Sequence, residues 1–145
     1  MDDRDWLAAA VTEAWRCPPS ERAFSVGAIV VADGIELARG HSRETDEQVH
    51  AEEAALAKLA GPLPHATIYS SLEPCSRRAS RPRTCTQLII AAGIRRVVIA
   101  WREPAVFVDC HGVEELTTAG VTVVELPELA DAARAPNAHL LPLDE

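Results

Sequence analysis

The sequence predicts an α/β fold: a three-layer α/β/α sandwich around a five-stranded mixed sheet, with residues 1–145 forming a single domain. Three observations lead there. Helical and extended patterns alternate in the order α-β-β-α-β-α-β-α-β-α. After the opening hairpin a helix therefore separates each strand from the next, and short crossovers of that kind favour parallel neighbours with helices on both faces. Continuous apolar runs such as Val97-Val98-Ile99-Ala100 suit strands buried on both sides. Finally, 145 residues with 48% hydrophobic and 25% charged composition fit one compact domain. A chain of this size buries roughly 70% of its unfolded surface and needs no disulfide scaffold.

Each element has its own local signal. Trp6, Ala9, Ala10 and Ala14 recur at helical spacing up to Trp15, and Cys17-Pro18-Pro19-Ser20 stops the pattern. Phe24 to Ala32 is apolar and rich in β-branched residues, Asp33-Gly34 is a hairpin turn, and Ile35 to Gly40 alternates. A helix is expected from His50 to Ala60, closed by Gly61-Pro62, and a strand from Ala66 to Leu72. Thr84 to Ala92 reads as a helix that Thr84 caps and Gly93 ends. Arg95 to Trp101 is the next strand, Gly112 to Ala119 a helix ending at Gly120, and Val121 to Leu126 the last strand. From Pro127 one more helix is expected, broken near Pro136.

Composition excludes several classes. Apolar stretches such as 26–32 fall far short of the roughly 20 residues that span a bilayer. The acidic start Met1-Asp2-Asp3-Arg4-Asp5 lacks the basic-then-apolar pattern of a secretory signal. A soluble, cytoplasmic protein without a membrane partner is expected, with Cys17, Cys75, Cys85 and Cys110 reduced. The net charge of -8 disfavours a general nucleic-acid binder, whose affinity comes mostly from neutralising phosphates. The charge is unevenly spread. Seven of the 13 arginines lie between Pro74 and Arg102, a window with no acidic residue. Such a segment is either a solvated face or a local site for an anion such as a phosphate monoester.

The chemistry concentrates in His50-Ala51-Glu52 and in Pro74-Cys75 followed by Cys85. Histidine and cysteine are good zinc ligands, and three of them leave a fourth tetrahedral position open for water, the catalytic pattern. Two thiolates and one neutral imidazole bring the site near zero formal charge, and the metal still lowers the pKa of its water. Glu52, two residues after His50 at a helix start, can reach the open face and carry a proton to a leaving amine. Taken singly, each has an ordinary explanation: a surface histidine, buried thiols, a glutamate favoured by the helix dipole. Their joint occurrence in matching helix and strand contexts points to zinc.

The pattern resembles the H-x-E and P-C…C signature of zinc-dependent deaminases, and the chain is similar to the cytidine deaminase-like superfamily over roughly residues 23–126. The resemblance implies one Zn2+ per chain held by His50, Cys75 and Cys85, with Glu52 as proton shuttle. It implies hydrolytic attack on an amidine carbon of an aromatic base, with loss of ammonia. Nine residues separate Cys75 from Cys85 where nucleoside, tRNA and polynucleotide deaminases mostly carry two. The long spacer resembles the pyrimidine deaminases of riboflavin biosynthesis, which act on a phosphorylated diaminopyrimidinone. Similar segments are Gly40-His41-Ser42-Arg43-Glu44, Leu72-Glu73-Pro74-Cys75-Ser76 and Trp101-Arg102-Glu103-Pro104.

On that resemblance the expected partner is a small aminopyrimidine, most simply a phosphorylated one. Arg77 and Arg81, with Arg78 and Arg83 beside them, either meet its phosphate or pair with acidic surface. Phe24 would stack on the ring or serve as core, and Ser25, Ser42 and Arg43 are further substrate-binding candidates. Trp101 and Phe107 either wall the pocket or simply follow an apolar strand. A free base or nucleoside is the alternative substrate, and a non-catalytic zinc-stabilised module a second alternative. A polynucleotide substrate is not expected, because only six aromatic residues exist to stack bases. Analogy implies a homodimer or homotetramer, with any reductase on a separate chain.

Overall fold

The computed structural model describes residues 1–79, 81–104 and 110–141. The sheet begins with a hairpin of β1 (Gly27–Ala32) and β2 (Ile35–His41). Asp33 and Gly34 turn it with positive φ values of 53° and 74°, the backbone a two-residue turn between twisted strands requires. Three strands follow: β3 (Ala66–Ser70), β4 (Arg96–Ile99) and β5 (Thr122–Glu125). The strand order is β2-β1-β3-β4-β5. The helix-linked strands β3, β4 and β5 are parallel neighbours, as the alternation predicts. The linked pair β2 and β3 is different: β3 pairs antiparallel with β1, so the hairpin's first strand lies between them.

Helices cover both faces. On one lie α1 (Asp3–Glu13) and α5 (Ala130–Arg134), packed on Ile29, Val31, Tyr69 and Val98. On the other lie α2 (Ala51–Leu56), α3 (Cys85–Ala91) and α4 (Gly112–Thr118), packed on Val30, Ile68, Val97 and Ile99. Successive strand residues serve opposite cores because side chains alternate along a strand. The expected five-stranded mixed sheet in three layers is therefore the observed architecture. Among the described residues, no helix is long and apolar enough to cross a membrane.

Several elements are shorter than their patterns, for local reasons. The run from Phe24 pairs only from Gly27, because the Ser25 N–H is taken by Asn137 Oδ1 at 2.6 Å and the Val26 N–H by Ser42 Oγ at 3.0 Å. Helix α2 ends near Leu56, where Lys58 and Leu59 donate three residues back, to Ala55 and Leu56, and tighten the last turn. The final helix is fragmented into 3-10 turns at Pro127–Leu129 and Ala135–Leu140, flanking α5.

Close approach of helix to sheet sets the position of the site. A Cβ at Gly40 would lie 2.6 Å from the Ala51 carbonyl oxygen, so only glycine lets the start of α2 rest on β2. At Gly112 a Cβ would meet the Pro74 oxygen at 2.0 Å, which brings α4 against the segment leading into Cys75.

Candidate active site

His50 is the N-cap of α2, Cys75 follows the loop leaving β3, and Cys85 opens α3 after its Thr84 cap. The Thr84 hydroxyl accepts the Gln87 N–H and starts the helix at the cysteine. The Cys85 N–H donates to Cys75 Sγ at 3.2 Å and the Thr86 N–H to the Cys75 carbonyl at 3.1 Å, which join the two cysteines directly. Cys85 Sγ lies 3.4 Å from His50 Nδ1, and the three donor atoms all fall within 4.8 Å of one another. Tetrahedral zinc with these ligands requires donor separations of roughly 3.5–3.8 Å. The side chains present therefore fit the ion.

Thiol electrostatics agree with that fit. Hydrogen bonds from Cys85 and His50 push the Cys75 thiol down to about 4, while the same bond to Cys75 holds Cys85 well above its usual range. A bound dication would favour the thiolate form of both.

A cavity of about 320 Å3 opens beside these donors, lined by His50, Glu52, Cys75, Arg22, Arg43 and Arg77 among others. Glu52 is 4% exposed, and desolvation raises its carboxyl to about 7. Phe24 is a wall, backed by Trp101 in an edge-on contact at 5.8 Å. Trp101 thus supports the wall and does not itself border the cavity; Phe107 lies outside the described residues. Ser42 also borders the cavity, its hydroxyl engaged by Val26. Arg43, at φ 60°, donates to the Pro18 and Phe24 carbonyls and to Ser25 Oγ, and so braces the Phe24 wall.

Two of the expected substrate contacts do not border the cavity. Ser25 is not a wall of this cavity: its main chain is held by Asn137 and its hydroxyl by Arg43. Arg81 is also absent from the walls, because Asp46 at 2.6 Å and Glu53 at 3.4 Å draw it away. Arg77 remains a wall, exposed and without an ion pair among the described residues.

Sequence reasoning missed Arg22, Glu73 and Glu103. Arg22 is an exposed wall residue two positions before Phe24, and nothing in its own neighbourhood signalled a role. Glu73 is 3% exposed and accepts from the Glu103 N–H at 3.0 Å and the Val113 N–H at 2.8 Å. Glu103 borders the cavity with its carboxyl raised by burial to about 7. Both glutamates stand in segments noted for their family likeness, which was the available signal.

The remaining cysteines sit apart from the donor trio. Cys17 Sγ faces the Val26 carbonyl and Cys110 Sγ the Pro74 carbonyl, both at 3.4 Å. Burial pushes both thiols up, Cys110 to about 12. A second donor group, Glu13, His41 and Glu44, is already neutralised by Arg39 and Lys58 and acts as an ion-pair network between α1 and β2.

Fold and donor set together define a zinc-dependent deaminase domain. Residues 1–101 match the family described as the cytidine and deoxycytidylate deaminase zinc-binding region, to which the chain belongs, and zinc is its cofactor. The chain is 41% identical over 126 residues to a diaminohydroxyphosphoribosylamino-pyrimidine deaminase of Schizosaccharomyces pombe, covering 83% of this chain and 31% of that protein. It is 38% identical over 99 residues to the riboflavin biosynthesis protein RibD of Aquifex aeolicus, covering 68% and 27%. The structure of Acinetobacter baumannii RibD (form 2) superposes with a TM-score of 0.84 at 29% identity, over 96% of this chain and 39% of that one. The chain thus spans less than a third of the length of these two curated relatives.

Proposed function

We propose that this chain is a hydrolytic deaminase of an aminopyrimidine, and that its substrate is the phosphorylated diaminopyrimidinone intermediate of riboflavin biosynthesis. The observation that carries the reading is the buried carboxylate of Glu52, which lines the same cavity as His50 and Cys75, two of the three clustered donors. The names of the Schizosaccharomyces pombe and RibD relatives support the pathway.

Zinc would be held by His50, Cys75 and Cys85, and when bound it would supply Lewis-acid activation of water. The chain does the rest. Glu52, with its carboxyl raised towards neutrality, takes a proton from the attacking water and delivers it to the substrate nitrogen that leaves as ammonia. Phe24 offers a flat apolar wall to the ring, and Arg43 keeps that wall in place through the Phe24 carbonyl. Glu103 gives the ring's N–H groups an acceptor. Arg22 and Arg77, exposed and bordering the same cavity, suit a phosphate on the sugar, the role first expected of Arg77 together with Arg81.

Ammonia release across a substrate panel tests this reading. The phosphorylated diaminopyrimidinone should be turned over fastest, and the dephosphorylated compound should lose most of its kcat/KM. Preferred turnover of cytosine, guanine or cytidine would transfer the same chemistry to a free base or nucleoside. Zinc binding without any turnover would leave the non-catalytic module.

We also infer that residues 1–145 act as one domain, in the cytoplasm, as a homodimer or homotetramer. The exposed Ile35 and Leu37 on edge strand β2 support self-association, which sedimentation velocity checks.

A further inference from the structure

Two of the four arginines between the cysteine donors reach the helix that follows His50: Arg78, which also borders the cavity, and Arg81, which does not. Glu53, the third residue of α2, receives them. Its Oε1 accepts the His50 backbone N–H at 3.2 Å and Arg78 Nη2 at 3.0 Å, while Oε2 faces Arg81 Nε at 3.4 Å. Arg78 continues to the Gln48 carbonyl at 2.7 Å, and Arg81 to Asp46 Oδ2 at 2.6 Å. One carboxylate therefore joins the main chain of one donor residue to the segment strung between the other two.

We propose that Glu53, Arg78 and Arg81 form a positioning clamp that holds the inter-cysteine segment against the start of α2 and so controls how firmly the three donors retain zinc. The inference rests on the metal-centre reading and is independent of which aminopyrimidine is deaminated.

The described residues between Cys75 and Cys85 contain neither helix nor strand, so the sheet does not fix this stretch. The bonds from the Cys85 and Thr86 N–H groups to Cys75 hold the two cysteines to each other but leave His50 out. Packing of Ala55 and Ile89 in one core sets the bodies of α2 and α3, a turn or more beyond the donors. Across the remaining gap run the contacts of Glu53. The Arg78 side chain is 1% exposed, and a buried guanidinium requires an opposing charge, so this arm of the clamp is strongly determined. The Arg81 arm, 30% exposed, is open to screening by salt. Groups that orient metal ligands without touching the metal typically contribute tenfold or more to affinity.

Glu53→Gln tests the clamp, because the amide oxygen still accepts the His50 N–H while the charge facing both arginines is lost. The zinc-loaded parent and variant are mixed with a chromogenic chelator and zinc release is timed. Release is expected to be about tenfold faster in the variant. In about 1 M NaCl the parent should release faster than at low salt, and the variant should respond little. The cobalt-substituted variant should keep a thiolate-to-metal band, with ligand-field bands altered from the parent's. Arg81→Gln, a half-exposed change that spares the core, should shift release in the same direction by less, and Arg81→Lys should restore it. It also decides the matter if Glu53→Gln fails to fold. Unchanged release in Arg81→Gln, or in a folded Glu53→Gln, or parent release that ignores salt, would overturn the proposal. A parent that holds zinc under this control but deaminates no pyrimidine would sink only the functional reading.

Discussion

The carboxylate of Glu73 accepts the backbone N–H of Glu103 at 3.0 Å, and so ties the loop that enters Cys75 to the loop that leaves β4. The same carboxylate takes the Val113 N–H at 2.8 Å, which adds the start of α4 to the junction. Three segments distant in sequence therefore meet on one buried side chain, beside the cavity.

Glu73→Gln is expected to cost roughly 2 kcal/mol of stability, since an amide can accept only one of the two N–H groups and presents its own NH2 to the other. Denaturant titration measures the loss. Because Glu103 borders the cavity, KM for the substrate should rise in the variant as well.

Glu52→Gln should leave folding and zinc content intact while the rate of ammonia release falls by about 10²-fold or more. Metal analysis and a melting curve beside the rate assay separate this outcome from a structural one. Equal rates in parent and variant would remove Glu52 from the proton path.

Chelation should abolish turnover, and added zinc should restore it. A donor set assembled by folding favours zinc over the unfolded chain, so removal should also lower the melting temperature, and excess zinc should raise it. A melting curve with and without chelator reads this directly.

Acid should weaken one specific contact. Arg96 hydrogen-bonds both oxygens of Asp3, at 2.8 and 2.5 Å, and together with the Tyr69 hydroxyl holds the Asp3 carboxyl at about 2, below its usual 3.8. Because the folded value is the lower one, the stabilisation is present above pH 4 and disappears as pH falls towards 2. Parent and Asp3→Asn should differ in melting temperature at neutral pH, with the parent higher, and converge near pH 2. A constant difference across that range would exclude Asp3 as the titrating group.

Much of the fold and of the metal centre was legible in the primary structure because the signals are local. Asp33-Gly34, the Thr84 cap and Gly93 and Gly120 act within a few residues of themselves, and each ends or begins an element where expected. His50, Glu52, Cys75 and Cys85 carry a spacing that is itself diagnostic, and they meet at the ends of the elements assigned to them. The strand order is less local. That β3 pairs with β1, not with β2, depends on how the whole chain closes.

The cavity walls were legible only in part, and the arginines show why. A cluster of four invites one interpretation, yet Arg81 is claimed by Asp46, 35 residues earlier, and lies outside the walls, while Arg78 borders the cavity already paired with Glu53, 25 residues earlier, and Arg77 borders it without an ion pair among the described residues. Arg22, outside the cluster, borders it as well. Ser25 is likewise removed from the cavity by Asn137, 112 residues away.

The sequence by itself determined the α/β class and marked out His50, Cys75, Cys85 and Glu52 as a candidate site, since turn chemistry, periodicity and residue spacing are properties of short segments. Only the tertiary structure decided which charges are neutralised within the protein and which are left for a ligand. An arginine carries the same charge in every setting, and folding alone selects the carboxylate that comes within a few ångströms of it.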